Sequence, residues 1–275
     1  VVVNLAKEDA ARVADEVEAY LLERDIEVDV HRFAGKSADY KVSSYDIAFS
    51  LGGDGTVLYS ARLLGRLGIP ILAVNIGDFG FITEVSKDEW KQAFEMYSDG
   101  KLGISERIMI KTSVIRQGME IATHYGLNDS VIASAGISKL VRLRVDVGDT
   151  ALGRYRADGV IIATPTGSTA YSAAAGGPIL EPEMNALILN PICPFTLSNR
   201  PLVLPGDKPV SIHLECGQRT DVIMTVDGQE VISLLEGDTV CFRLADITAK
   251  IVRSDKRNFY EVLRSKLNWS GGPDA

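Results

Sequence analysis

Hydrophobic positions along the first hundred residues follow two alternating rhythms. Val1–Val3 is a short apolar run. Ala6–Arg24 then repeats apolar residues at helical spacing, with Ala10, Val13, Val17 and Leu21 on one face. Ile26–Val30 alternates as a strand does, and Ile47–Leu51 is a run of the buried-strand type. Thr56–Leu67 predicts a helix stopped by Gly68, Ile71–Val74 a further strand, and Lys87–Tyr97 a further helix. Strands separated by helices predict a parallel sheet covered on both faces.

The rhythm changes beyond residue 104. Ile108, Ile110, Thr112 and Val114 alternate, as do Val141, Leu143, Val145 and Val147. So do Val210, Ile212 and Leu214, then Val240, Phe242 and Leu244, then Ile247, Ala249 and Ile251, with turn-forming stretches at Pro205-Gly206-Asp207, Asp227-Gly228 and Glu236-Gly237-Asp238. The pattern predicts an α/β plus β chain. An N-terminal parallel-sheet domain, Rossmann-like but without GxGxxG, covers 1–104, and a C-terminal layered β-sandwich domain covers 105–254. One Ala-rich helix, Ser168–Ala175, interrupts the second domain, and Asn258–Leu267 reads as a final helix within the segment 255–275.

Composition narrows the functions open to such a fold. The chain of 275 residues carries a net charge of -8, with no clustered Lys and Arg surface of the kind that wraps nucleic acid. Its three cysteines, Cys193, Cys216 and Cys241, are far apart and form no CxxC pair, and its three histidines are isolated. This leaves no metal-ligand spacing and points to ordinary thiols in a reducing compartment. No signal peptide and no apolar stretch of ~20 residues is present, so no membrane role is expected. The chain begins at Val1 with no initiator Met, and residues are expected to be missing before it.

Three segments carry candidate chemistry. Gly52-Gly53-Asp54-Gly55-Thr56 lies where a buried strand meets a helix, the crevice position at which open α/β sheets bind ligands. Glycines there let the backbone approach a phosphate, and the helix N-terminus favours an anion. Asp54 could then hold Mg²⁺ on the phosphates, orient an attacking hydroxyl or accept its proton, although a tight turn with a capping Asp explains the same residues. The second segment runs from Asp158-Gly159 through the strand Val160–Ala163 into Thr164-Pro165-Thr166-Gly167-Ser168-Thr169-Ala170-Tyr171. Helix capping or a ligand site would account for it. The third, Asn128-Asp129, offers an amide and a carboxylate suited to a base edge and ribose hydroxyls, or simply an exposed turn. No Walker A sequence occurs.

Taken together and in order, these stretches closely resemble the NAD kinase family, as do Asn75-Ile76-Gly77-Asp78-Phe79-Gly80-Phe81, Asp158 through Gly177, Arg200–Pro205 and Val226-Asp227-Gly228-Gln229. The glycine-Asp turn is shared with lipid kinases and phosphofructokinases, whereas the Thr164–Pro178 run is far more specific. The resemblance implies phosphoryl transfer from ATP or polyphosphate to the 2′-hydroxyl of the adenosine ribose of NAD, with Mg²⁺ or another divalent cation carried by the phosphates rather than by a protein motif. It implies a terminal helix returning to the first domain, and a homodimer or homotetramer in which a neighbouring chain completes the site. Carried over residue by residue, Asp54 faces the 2′-hydroxyl, while Gly52, Gly53, Gly55 and Thr56 cradle phosphate. Asn128 and Asp129 hold the adenosine part, and Asp158 meets the nicotinamide ribose. Thr166, Thr169 and Tyr171 line the site, Ala170 lies against the ligand, Phe81 lies near the adenine, and Arg156 and Asp227 lie at its edge. Many relatives carry Glu at the position of Asp129 and Leu at that of Phe79.

The expected enzyme is a cytoplasmic phosphotransferase in which Asp54 positions the hydroxyl more than it acts as a strong base. A lipid or sugar kinase sharing the glycine-Asp turn and a non-catalytic dinucleotide-binding regulator are the rival readings.

Overall fold

The structure is a computed structural model, and it describes residues 1–34, 40–77, 80–136, 139–196 and 198–268. The chain divides into two compact units, Val1–Arg107 with Thr248–Ala275, and Ile108–Ile247.

The first unit is a parallel sheet with helices. Its elements are β1 (Val2–Asn4), α1 (Ala10–Leu22), β2 (His31–Phe33), β3 (Ala48–Gly52), α2 (Asp54–Leu64), β4 (Ile71–Asn75), β5 (Val85–Ser86) and α3 (Trp90–Ser98). Strand order is β2-β1-β3-β4, every pair parallel, with β5 also beside β4. All residues of β3 and β4 are buried, as central strands of a covered parallel sheet require. The expected face of α1, Ala10, Val13, Val17 and Leu21, packs with Phe49, Leu51, Leu72, Val74, Trp90 and Phe94 into one core. The strand expected at 26–30 is absent: those residues are irregular, and β2 begins at His31, where it pairs with Val2. Alternation alone could not choose between neighbouring windows, because pairing with β1 decides which one becomes a strand.

The second unit stacks two antiparallel sheets. β6 (Ile104–Arg116) leads in from the first unit, followed by β7 (Met119–Gly126), β8 (Asp129–Ser134), β9 (Val141–Val147), β10 (Thr150–Ala157) and β11 (Gly159–Ala163). A 3₁₀ turn at Thr166–Thr169 and the short α4 (Tyr171–Ala174) follow. Then come β12 (Ala186–Ile192), β13 (Leu202–Pro205), β14 (Val210–Leu214), β15 (Val222–Val226), β16 (Glu230–Leu234) and β17 (Thr239–Val252), which runs back into the first unit ahead of α5 (Phe259–Leu267). One sheet has the order β13-β12-β11-β8-β15-β16, and the other contains β10-β9-β14-β17. Val141, Leu143, Val145, Ile212 and Phe242 of the second sheet share a core with Ile132, Val160, Ile162, Leu189 and Met224 of the first. That arrangement is the layered sandwich expected from the alternating runs.

Two expected elements change form. The single helix over Ser168–Ala175 is broken at Ala170, whose backbone (φ −100°, ψ −130°) is not helical, leaving a 3₁₀ turn and one short α turn. The two strands expected at 240–244 and 247–251 are one continuous strand, in which the buried positions shift from even numbers (Val240, Phe242) to odd ones (Ala249, Ile251). The change of face occurs where the chain leaves one unit for the other, and it makes one strand look like two.

In the first unit the C-terminal segment is pinned by Arg257, which donates to both carboxylate oxygens of Glu89 (2.7 and 3.1 Å) and to the carbonyl of Glu84. These contacts hold the Glu89 carboxyl well below its ordinary value, at about 2, the Arg257 hydrogen bond being the main cause. Asn258 and Glu261 form a reciprocal capping box that starts α5. Among the described residues no helix is long and apolar enough to cross a membrane, and the three cysteines are unpaired.

Candidate active site

In the first unit the buried strand β3 delivers Gly52 to the crest of the sheet, and the helix begins at once. Gly53 is the N-cap and Asp54 the first helical residue, two positions earlier than the apolar pattern predicts. Gly52 cannot carry a side chain here, since a Cβ would lie 2.0 Å from Thr56 Oγ1. The Asp54 carboxylate is gripped by the loop that follows β4. Its Oδ2 accepts from the Phe81 N–H (2.7 Å), and its Oδ1 accepts from the Ile82 and Thr83 N–H groups (3.1 Å each) and the Thr83 hydroxyl (3.2 Å). Gly80 permits this close approach, because a Cβ at that position would stand 1.7 Å from Oδ1. Thr83 Oγ1 also lies 3.3 Å from Oδ1 of the buried Asn75, so its single proton is shared between two acceptors, and Asn75 Nδ2 donates to the Gly77 carbonyl. Sequence reading did not single out Asn75 and Thr83 as site residues. For Asn75 the signs were an amide at the exit of a buried strand and its place at the head of the family-like stretch 75–81. Asp78 and Phe79 lie outside the described residues, so the Phe79 departure has no structural account. Phe81 is partly exposed, with Lys266 Nζ 5.7 Å from its ring centroid.

In the second unit a polar cluster gathers at one end of the β13–β16 sheet. Asn128 lies in the β7–β8 connection, Asp129 is the first residue of β8, and Ala163 pairs with Asp129. The chain therefore leaves β11 beside them, into Thr164–Tyr171. Thr164 locks the two segments together, its N–H donating to the Asn128 carbonyl (2.8 Å) and its hydroxyl to the Leu127 carbonyl (2.5 Å). Gly167 lies against the Asn128 backbone so closely that a Cβ would fall 2.1 Å from the carbonyl oxygen. Asn128 Oδ1 and Thr166 Oγ1 are buried and have no hydrogen-bond partner among the described residues. Thr169 bonds back to the Thr166 carbonyl, and Tyr171 is about half exposed.

Asp227 stands in the same cluster, whereas Arg156 and Asp158 do not. Asp158 precedes β11 and Thr164 follows it, so a strand of five residues, about 17 Å, separates them. At that far end Arg156 and Asp158 are exposed, and the Arg156 guanidinium lies 5.0 Å over the Phe195 ring.

Burial pushes the Asp129 carboxyl up to about 7, with the neighbouring Asp227 carboxylate adding to the effect. Because the folded value lies above the unfolded one, the protonated acid is the form that folding favours. Its contribution to stability is complete below the unfolded value near pH 4 and is lost as pH rises toward 7. Asp129→Asn, neutral throughout, is therefore expected to be more stable than the parent at pH 8, by on the order of 2 kcal/mol, with the two converging toward pH 4. Denaturant midpoints across that range measure the difference. A difference independent of pH would show that Asp129 is already ionised in the fold.

Comparison with known proteins identifies the family. The ATP-NAD kinase N-terminal domain matches residues 1–102, and the ATP-NAD kinase C-terminal domain matches residues 127–254. The NAD kinase of Treponema denticola is 42% identical over 272 residues, covering 98% of this chain and 96% of that protein. The NAD kinase of Geobacter sulfurreducens is 44% identical over 224 residues, covering 82% and 78%. Among solved structures, an NAD kinase from Archaeoglobus fulgidus in complex with ATP superposes with a TM-score of 0.75 at 25% identity, covering 97% of both chains. Yeast NADH kinase complexed with NADH gives 0.75 at 28% identity, covering 82% of this chain and 68% of that one. With both domain models and relatives matched along nearly its whole length, the chain belongs to the NAD kinase family and is a phosphotransferase.

Proposed function

We propose that the chain transfers the terminal phosphoryl group of ATP to the 2′-hydroxyl of the adenosine ribose of NAD, giving NADP, with Asp54 as the residue that orients the hydroxyl. The observation that carries this reading is the state of Asp54. It is a carboxylate at a helix N-terminus, fixed by four hydrogen bonds from one loop, beside a glycine turn open to phosphate. An ordinary aspartate is a weak base toward an alcohol, so the fixed carboxylate acts mainly by holding the hydroxyl in line and takes the proton late. Gly52, Gly53, Gly55 and Thr56 face the transferred phosphate. Mg²⁺ enters as part of the donor, bound to its phosphates.

On the acceptor side, Asn128 Oδ1 calls for an N–H donor such as the exocyclic amine of a purine, and the Thr166 hydroxyl calls for a second polar group. Asp129, Thr169, Ala170 and Tyr171 complete the wall around this end of the dinucleotide. Arg156 and Asp158 reach the nicotinamide ribose from a second copy of the chain, which places their far end of β11 against the Asn128 end of the neighbour. This gives a homodimer or homotetramer its role in the reaction. The enzyme works in the cytoplasm, where unpaired thiols are stable.

The test is a coupled assay of purified protein with Mg²⁺, NAD and ATP, reading NADP through an NADP-specific dehydrogenase. NADP formation supports the assignment. Formation with polyphosphate alone changes the donor, and NAD binding without product from either donor turns the reading to a regulator. Gly53 offers a local check, since a Cβ there meets nothing within 4 Å and its backbone is extended. Gly53→Ala is expected to leave stability within about 0.5 kcal/mol yet raise KM for ATP about tenfold, because the methyl group occupies space that the phosphate uses. An unchanged KM would remove this turn from the donor site.

A further inference from the structure

We propose that Asp227 is a positioning residue of the acceptor site: its carboxylate gathers three successive backbone N–H groups, and thereby fixes where the Asn128 and Asp129 side chains stand. The inference rests on the reading of Asn128 and Asp129 as acceptor-binding residues. Asp227 Oδ2 accepts from the Leu127 N–H (3.0 Å), and Oδ1 accepts from the N–H groups of Asn128 (2.8 Å) and Asp129 (3.2 Å). In return the Asp227 N–H donates to the Asp129 carbonyl (2.9 Å). Three consecutive amides converging on one point form an anion-binding concavity, and in a nucleotide enzyme such a concavity would ordinarily receive a phosphate. Here the protein supplies the anion itself, so this concavity serves to set the chain.

The setting is tight on both sides. Asp227 is 8% exposed and adopts a left-handed backbone (φ 52°), which Asp tolerates better than most residues and which turns its side chain under the β7–β8 connection. Thr164 takes the carbonyls of Leu127 and Asn128 from the other side. The backbone of the connection is thus held through its N–H groups by Asp227 and through its carbonyls by Thr164 and the Asp227 N–H, leaving the side chains of Asn128 and Asp129 as its free chemistry. Gly126 makes room for the clamp: a Cβ there would lie 3.0 Å from Asp227 Oδ1 and 2.9 Å from Val226 Cγ1. The two carboxyls are close enough for the charge of Asp227 to raise that of Asp129, in addition to burial.

The experiment compares wild type, Asp227→Asn and Gly126→Ala by amide hydrogen exchange and by steady-state kinetics. Asparagine keeps the shape but turns an NH₂ group toward backbone donors. Gly126→Ala presses on the carboxylate without altering a polar group. In Asp227→Asn the amides of 127–129 should exchange at least tenfold faster, with KM for NAD raised tenfold or more and KM for ATP within twofold. The pH at which NAD affinity changes should fall as the neighbouring charge is removed. Gly126→Ala should shift the same amides and the same KM in the same direction, and it carries the test alone if Asp227→Asn does not fold. Unchanged exchange in both variants overturns the clamp. Faster exchange with an unchanged KM for NAD overturns its role at the acceptor site, as does a parallel rise in both KM values. Wild-type protein that makes no NADP overturns the activity, and the exchange comparison still decides whether the clamp exists.

Discussion

Replacing Asp54 with asparagine is expected to lower turnover by about 10²-fold or more while leaving the fold and most NAD affinity in place. The asparagine would keep one oxygen but present an NH₂ group to the loop donors that now converge on a carboxylate from Phe81, Ile82 and Thr83. The group that aligns the hydroxyl then loses both charge and orientation, and an orienting contribution appears in kcat more than in KM. The measurement is kcat in the coupled assay beside NAD affinity by equilibrium dialysis. Near-normal turnover in folded protein would remove Asp54 from the reaction.

The second large effect is expected at Gly167. A methyl group there would sit 2.1 Å from the Asn128 carbonyl oxygen and 2.5 Å from its carbon, both backbone atoms at the start of a buried strand. No side chain can rotate away to relieve this, so either the Thr164–Tyr171 turn or the β7–β8 connection must move. Gly167→Ala should cost about 3 kcal/mol of stability and raise KM for NAD more than tenfold, since it parts Thr166 from Asn128. KM for ATP, set in the other unit, should change little. Thermal unfolding with both KM values tests it, and a variant of parental stability and NAD affinity would show that the two segments need not touch.

Much of this could be read without coordinates. Local chemistry was legible wherever it rests on adjacent residues. The glycine turn at 52–55 follows from strand, glycines and helix in succession. The face of α1 was visible because a helix repeats its contacts every three to four residues. Errors arose where partners are distant. Residues 26–30 alternate as well as any strand, yet the register with β1 selects 31–33. β17 reads as two strands because its inward side changes when its surroundings do. The polar cores of the site were illegible for the same reason. Thr83 reaches Asp54 across 29 positions and Asp227 reaches Asn128 across 99, and nothing in either local stretch announces the other.

By itself, then, the amino-acid order determined the two classes of layer, the glycine-rich turns and the identity of the groups able to do chemistry, because each is a property of neighbours along the chain. Tertiary structure alone decided how those groups are employed. It committed the oxygens of Asp54 to one loop, made Asp227 an internal anion, and left Asn128 Oδ1 and Thr166 Oγ1 without partners among the described residues. The physical reason is that a hydrogen bond or a buried charge depends on which atoms lie within about 3 Å, and folding brings those atoms together from positions far apart in sequence.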